Sequence, residues 1–440
     1  MIERSPSSST ATLSAAELSL YHLLDPNVLA NPYPLYARLR REDPVHWDPF
    51  LHAWVLTRYN DVVTVFQRFS AARTPTPQQL EALGLGTLAP LARVMVRQML
   101  FLDAPSHTRM RALCSRAFTP HRVERLRSHI SDIVDGLIEQ CRPRGAMDLI
   151  ADLANPLPAI VTAELLGLPT ADWALLKQWS EDFAEVLGNF QHNPDRAARV
   201  LSSLEQMCTY FHDAVRVRRE RLESATGNDD DLLSALTKAD IAGDRLSDEE
   251  IVANVIITMV GGQETTTNLI GNGMLTLLRH PDELARLRDA PELFPSAVEE
   301  LLRYESPSQH TARLAPEDVE LGGKLIRKRQ AVIAVMGAAN RDPERFADPD
   351  RLDLARQDNR HVAFAWGSHY CFGAPLARIE GHLAFQALLH QLPDVRLASG
   401  ETPRWRDNLG LRGLTSLHLQ FEPPGKNYDS AMSNDSATGD

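Results

Sequence analysis

Cys371 has surroundings that suit a metal-binding thiolate. It sits in the run Phe364-Ala365-Trp366-Gly367-Ser368-His369-Tyr370-Cys371-Phe372-Gly373, with a glycine on either side. Glycines allow the tight turn and close approach that a flat cofactor needs. A helix is expected to open near Pro375, because proline suits the first helical position. The unpaired N–H groups and dipole at such a start stabilise a thiolate. A lone cysteine in a helical protein is usually an inert core residue; the context sets Cys371 apart. His369, two residues earlier, can donate to a cofactor carboxylate.

Three further groups of residues could carry chemistry. Gly261-Gly262-Gln263-Glu264-Thr265-Thr266 places two adjacent glycines inside a helical pattern. Each costs roughly 1 kcal/mol relative to alanine, so something should offset the loss. Glu300 and Arg303 are three apart and share one helix face, so they can pair. His107 and Arg111 are four apart on another helix, and Arg313 follows Ser306-Pro307.

The elements that must position these groups are mostly helices. Apolar residues recur at helical spacing over 107–118 and 120–141, and longer helices are expected at 171–187 and 195–222. Ser247-Asp248-Glu249-Glu250 reads as a capping box that opens a very long helix, ended near Arg279 by His280-Pro281. A last helix is expected over 375–392. The runs 44–47 and 53–57 read as a hairpin, 331–336 as a strand and 413–421 as a final hairpin strand. There is no internal repeat and no long Gly/Ser linker. The expected organisation is a disordered segment over 1–19, one domain over 20–422 and a disordered polar tail over 423–440.

Composition removes several function classes. With 46 Lys and Arg against 58 Asp and Glu, a net charge of -12 argues against nucleic-acid binding. Cys114, Cys141, Cys208 and Cys371 form no C-x-x-C pair, so neither a disulfide framework nor a structural zinc site is expected. A reducing cytoplasm is the natural setting. The first residues lack the apolar core of a signal peptide. No stretch approaches the ~18 apolar residues of a membrane span.

The run around Cys371 resembles the haem-binding loop of the cytochrome P450 family, F-x-x-G-x-[HR]-x-C-x-G. Phe364, Gly367, His369, Cys371 and Gly373 all match it. Ala365 stands where glycine is frequent, and Leu352 where phenylalanine is frequent; neither change removes a chemical group. The resemblance spans nearly the whole chain. It implies a mainly α fold with a smaller β region, and haem b (iron protoporphyrin IX) held between the long central helix and the cysteine loop with the last helix. Cys371 would be the axial iron ligand, a thiolate that favours O–O cleavage, with Phe364 packed beside the sulfur.

Other roles follow from the same resemblance. The segment from Gly261 to Thr266 fits the pattern [AG]-G-x-[DE]-T-[TS]. The central helix would open locally there, around Gly262, with Thr265 bonding to the oxygen and Glu264 relaying protons. Glu300 and Arg303 match the family's buried E-x-x-R pair. Arg356 is the expected third member, with Arg351 and Arg345 as competitors. His107, Arg111, Arg313 and His369 would hold the haem propionates. The segment 72–102, Ile257, Val260, Gln309, His310 and Leu411 would line a mainly apolar substrate pocket.

The activity implied is that of a monooxygenase. It would use dioxygen and two external electrons to hydroxylate or otherwise oxidise a mainly apolar small molecule in secondary metabolism. A ferredoxin and an NAD(P)H-dependent ferredoxin reductase are the expected partners, since no flavin or iron–sulfur module fits in the chain. Arg109, Arg116, His121, Arg122 and Arg378 are candidates for a ferredoxin-docking patch. A monomer is expected, with no nucleic-acid or membrane partner. The competing readings are a peroxide-driven haem-thiolate enzyme and a non-catalytic relative acting as an accessory protein.

Overall fold

The computed structural model describes residues 18–189, 194–223, 231–241 and 243–423. Leu18 and Ser19, which fall in the expected N-terminal segment, are buried. Ser19 Oγ donates to Asp48 at 2.8 Å. The rest of that segment, and the tail from residue 424, lie outside the described residues.

One helix organises the molecule. Before it in the chain come helices Ser106–Ala117 (α1), Pro120–Arg125 (α2), Arg127–Glu139 (α3), Pro156–Leu165 (α4), Trp173–Gly188 (α5) and Pro194–Glu223 (α6), of which α4, α5 and α6 pack against it. The central helix itself is Asp248–Arg279 (α7), about 48 Å long at 1.5 Å per residue. Its start is the expected capping box. Ser247 Oγ accepts from Glu250 N at 3.2 Å, and the Glu250 carboxylate accepts from Ser247 N at 2.9 Å. Three acidic residues in its first turn suit the positive end of the helix dipole.

Burial on all sides leaves the polar side chains of α7 to find partners inside the protein. Asn254 accepts from Met99 N at 2.8 Å, Thr267 donates to Ala154 O at 2.8 Å and Asn272 donates to Arg412 O at 2.8 Å. Each bond ties a different segment of the chain to the central helix.

Two more helices complete the floor, Phe294–Tyr304 (α8) and Ala374–Gln391 (α9). Gly273 lies where α7, α8 and α9 converge. A Cβ there would press into the Phe385 ring and come within 3.3 Å of Leu301 Cδ1. Gly273→Ala is therefore expected to cost about 1–3 kcal/mol through overpacking. Urea unfolding would check this; an unchanged midpoint would show that Phe385 moves aside freely.

The β region is small. Strands Val45–Asp48 (β1) and Ala53–Leu56 (β2) form the expected hairpin, with Val45 opposite Leu56. Between them and α8 in chain order comes Ala146–Asp148 (β3); after α8 come His310–Leu314 (β4) and Ala331–Val335 (β5). The main sheet has the order β1-β2-β5-β4, with β2 and β5 parallel. Strands Arg396–Leu397 (β6), Arg404–Trp405 (β7), Leu414–Ser416 (β8) and His418–Gln420 (β9) close the chain.

Two boundaries differ from expectation. The stretch 120–141 is two helices, because the turn tightens at Leu126, whose N–H bonds to Val123 O at 3.1 Å. The stretch 413–421 is two strands in different sheets: β8 pairs with β7, while β9 lies between β6 and β3. The switch falls at Leu417, whose N–H is taken by the Asp148 carboxylate at 2.9 Å.

Candidate active site

The cysteine loop is a closed turn. Cys371 N donates to Phe364 O at 2.9 Å. Gly367 has φ 70 and Ala365 has φ 59, so the loop passes twice through the left-handed region. Alanine is strained there, which accounts for the glycine frequent at position 365 in the family. Gly373 has an ordinary φ of -84. Its value is space, since a Cβ there would meet nothing in the protein.

Cys371 faces a cavity of about 320 Å³ between the loop, α9 and α7. Burial pushes its thiol up, while the Gly373 and Ala374 N–H groups and the Arg111 and Arg378 guanidiniums pull it back. This is the helix-start environment that the sequence suggests.

The expected carboxylate donors come together beside the loop. The rings of His107 and His369 lie 4.0 Å apart, centroid to centroid. Burial and then Arg111 depress His107; burial, His107 and Arg313 bring His369 down to about 4. Both are neutral donors or acceptors at neutral pH. His107 Nε2 and Arg313 Nε are buried and without a hydrogen-bond partner in the protein. Arg111 donates to Tyr370 O at 2.9 Å and stacks on Phe372, 5.2 Å from the ring centroid. A flat dianionic macrocycle with an iron centre fits this set. The thiol lies beneath the cavity, and unsatisfied donors sit at its edge.

Above the cavity, Ile257, Thr258, Gly261, Gly262, Thr265, Thr266 and Leu269 form the lining face of α7. Helical spacing puts these seven on one side. The helix does not open locally, contrary to expectation; it is continuous from Asp248 to Arg279. Thr265 Oγ1 donates to Gly261 O at 2.7 Å, the i−4 back-bond of a helical threonine.

Three expected residues lie off the cavity. Val260 and Gln309 are buried but do not line it. Val260 falls on the opposite side of α7 from Thr265 and Leu269, and Gln309 Nε2 donates back to Ser306 O at 2.7 Å. Ile257, His310 and Leu411 do line it. Glu264 also points away. Its carboxylate accepts from Lys177 Nζ at 2.6 Å, Ser180 Oγ at 3.1 Å and Arg406 Nη1 at 2.7 Å. Burial would raise its pKa, yet Lys177 and Arg406 hold it below the ordinary value. Glu264 is thus an anion clamped between α5 and the segment carrying β7.

Glu380, which sequence reasoning missed, is the acid that does line the cavity. It sits on α9 at helical spacing from Leu376 and Ala384, both buried, and that periodicity was the available signal. Burial pushes its carboxyl from 4.5 up to about 8, against a hydrogen bond from Thr266. Between those values the folded state keeps a proton that the unfolded chain has lost. Stability then falls as pH rises, by at most about 1.4 kcal/mol per pH unit. Glu380→Gln removes this titration, so its stability is expected to gain on the native protein as pH rises from about 4.5 to about 8. Parallel melting-temperature profiles would contradict the assignment.

The E-x-x-R residues form a buried group away from the cavity. Arg303 Nε donates to Glu300 at 2.8 Å, and both side chains are fully buried. Arg356 Nε joins Glu300 at 3.1 Å. Of the competitors, Arg345 pairs with Asp358, and Arg351 contributes only its carbonyl to the group.

A long central helix over a cysteine loop, with neutral histidines and the unpartnered Arg313 Nε at the rim, defines a haem-thiolate architecture. Comparison with known proteins agrees. The cytochrome P450 family model matches residues 86–293 and 291–415. The chain is 38% identical to cytochrome P450 CYP107DY1 of Priestia megaterium, over 84% of this chain and 90% of that one. It is 40% identical to cytochrome P450 monooxygenase PikC of Streptomyces venezuelae, over 89% and 91%. A structure of P450BioI with an acyl carrier protein ligated to hexadec-9Z-enoic acid superposes with TM-score 0.84 at 34% identity, covering 90% of this chain and 99% of that one. The chain belongs to the cytochrome P450 family and is a haem-dependent monooxygenase.

Proposed function

We propose that this protein oxidises a mainly apolar natural product in secondary metabolism, using electrons delivered by a separate ferredoxin and its NAD(P)H-dependent reductase. The carrying observation is the cavity, whose lining is mostly apolar and runs from Cys371 to the Thr265 face of α7. The names of relatives point the same way: PikC is a monooxygenase, and PksS of Bacillus subtilis is a polyketide biosynthesis enzyme. Haem b, bound through Cys371, supplies the dioxygen activation; His107, Arg111, Arg313 and His369 would hold its carboxylates.

The chain's own residues do the rest. Ile257, Leu411 and their neighbours hold the substrate and exclude water. Thr265 lines the cavity and gives its hydroxyl hydrogen to Gly261 O, so its oxygen is left to accept a hydrogen bond. Relay through Glu264 requires the carboxylate to leave Lys177 and Arg406 first. Glu380 offers a neutral carboxylic acid on the cavity side without such a step.

The docking patch is smaller than sequence suggested. Arg109 pairs with Asp244 and Glu250, and Arg378 with Glu299, so neither offers a free charge to an acidic carrier. The side chains of Arg116 and His121 lie outside the described residues.

The test is turnover with NADH, ferredoxin and reductase against a panel of macrolides, fatty acids and terpenes. Substrate-dependent NADH consumption with oxygenated product is expected. Product formed with hydrogen peroxide alone, and none with the electron carriers, would replace this reading with the peroxide-driven one. Thr265→Ala is expected to lower product per NADH by about tenfold or more, with hydrogen peroxide released instead. Unchanged coupling would remove Thr265 from the relay.

A further inference from the structure

The cavity holds one arginine beyond the expected set. Arg73 lines it, with its guanidinium 4.6 Å from the centroid of the Phe101 ring. Among the described residues its one acceptor is its near neighbour Ala71 O, at 3.4 Å. Among the described residues no carboxylate lies within ion-pair distance of it. The charge it feels is Arg313; burial and then that like charge push Arg73 down to about 9. Burial likewise brings Arg313 down to about 10, with Asp103 opposing. Two guanidiniums that line one desolvated cavity and feel each other's charge are unfavourable without an anion nearby.

The charges can be counted. Arg73, Arg111 and Arg313 are the only arginines in the lining, which contains no lysine. Both facing histidines, His107 and His369, are depressed toward neutrality. Asp103 is the carboxylate acting on this group, and it already accepts from Ser70 Oγ and from Ala71 N at 2.8 Å. Three positive charges against one negative leave an excess of two, which is the charge carried by the two propionates of one haem.

We propose that Arg73 is a further haem-carboxylate ligand, sharing a propionate with Arg313, so that no free cation remains for the substrate and the oxidised molecule is neutral where it enters the cavity. This rests on the haem-thiolate reading above and adds a residue and a substrate class to it. Arginine suits the role because its planar fork binds carboxylates in pairs of hydrogen bonds.

The experiment uses the haem-loaded protein and its Arg73→Gln, Arg73→Leu and Arg73→Lys variants. A carbon monoxide spectrum of the native protein first tests the haem-thiolate reading alone; without a thiolate signature that reading fails, whatever Arg73 does. Given the signature, transfer of haem to excess apomyoglobin is expected to be on the order of tenfold faster in Arg73→Gln and Arg73→Leu. Their midpoint potential should fall, because a cation that favoured the reduced iron is gone, and Arg73→Lys should recover part of the shift. Binding titrations of a long-chain fatty acid and its methyl ester should show no preference for the acid in the native protein. Unchanged haem transfer and potential would overturn the proposal. So would an acid preference in the native protein that is lost in Arg73→Gln, which would make Arg73 a ligand of the substrate's carboxylate instead.

Discussion

Arg303→Leu is expected to destabilise the folded protein by about 3–5 kcal/mol, the cost of stripping the partner from a buried charge. All of the Arg303 donors are used. Nε and Nη2 hold the two Glu300 oxygens at 2.8 Å each. Nη1 reaches Asn340 O and Pro349 O, both at 2.8 Å, and Nη2 also reaches Arg351 O at 3.3 Å. Removing the guanidinium strips that donor from the Asn340 and Pro349 carbonyls, leaves Arg351 O to Arg356 Nη2 at 3.1 Å, and leaves Glu300 with Arg356, Asp353 N and Asn359 as its remaining partners. Those carbonyls belong to the irregular stretch that leads into the cysteine loop, so haem retention should fall with stability. Arg303→Lys should rescue little, because an ammonium cannot reproduce the fork. Urea unfolding followed by far-UV dichroism and by haem absorbance measures both effects. A loss under about 1 kcal/mol would show that the group is replaceable, as exposed ion pairs are.

Cys371→Ala is expected to abolish the thiolate signature of the carbon monoxide complex, while Cys114→Ala leaves it intact. Cys114 is the demanding control because it is also buried, and on α1, the helix that carries His107 and Arg111. Burial pushes its thiol up to about 12, with only Arg111 opposing. Cys371 has two backbone N–H groups directed at its sulfur and is the one cysteine in the cavity lining. A thiolate band that survived in Cys371→Ala would mean that another cysteine reaches the iron.

Much of this site was legible in sequence because its residues are local. The loop from Phe364 to Gly373 is one turn, and Glu300 and Arg303 share a helix face at a fixed spacing. The capping box at Ser247 likewise needs only four consecutive residues. What sequence missed was set by distant contacts. Glu264 looked like a solvent-linked acid, but its partners Lys177 and Arg406 come from positions 87 and 142 residues away. The side of α7 that Val260 faces depends on where the cavity lies, and that is decided by α9. Arg109 and Arg378 read as docking charges because their acids, Asp244, Glu250 and Glu299, are remote in the chain. The break at Leu417 arises from Asp148, which no local pattern could supply.

The excess of arginines at the cavity rim also ties folding to nutrient supply. Without the cofactor, Arg73 and Arg313 repel each other, and that repulsion counts against the apoprotein. A ligand that binds only the native state stabilises it by mass action, about 2.7 kcal/mol at a hundredfold excess over its dissociation constant. Porphyrin availability during synthesis thus becomes part of the folding equilibrium. In an iron-starved cell the same chain should accumulate less, with more of it lost to proteolysis, although no residue has changed.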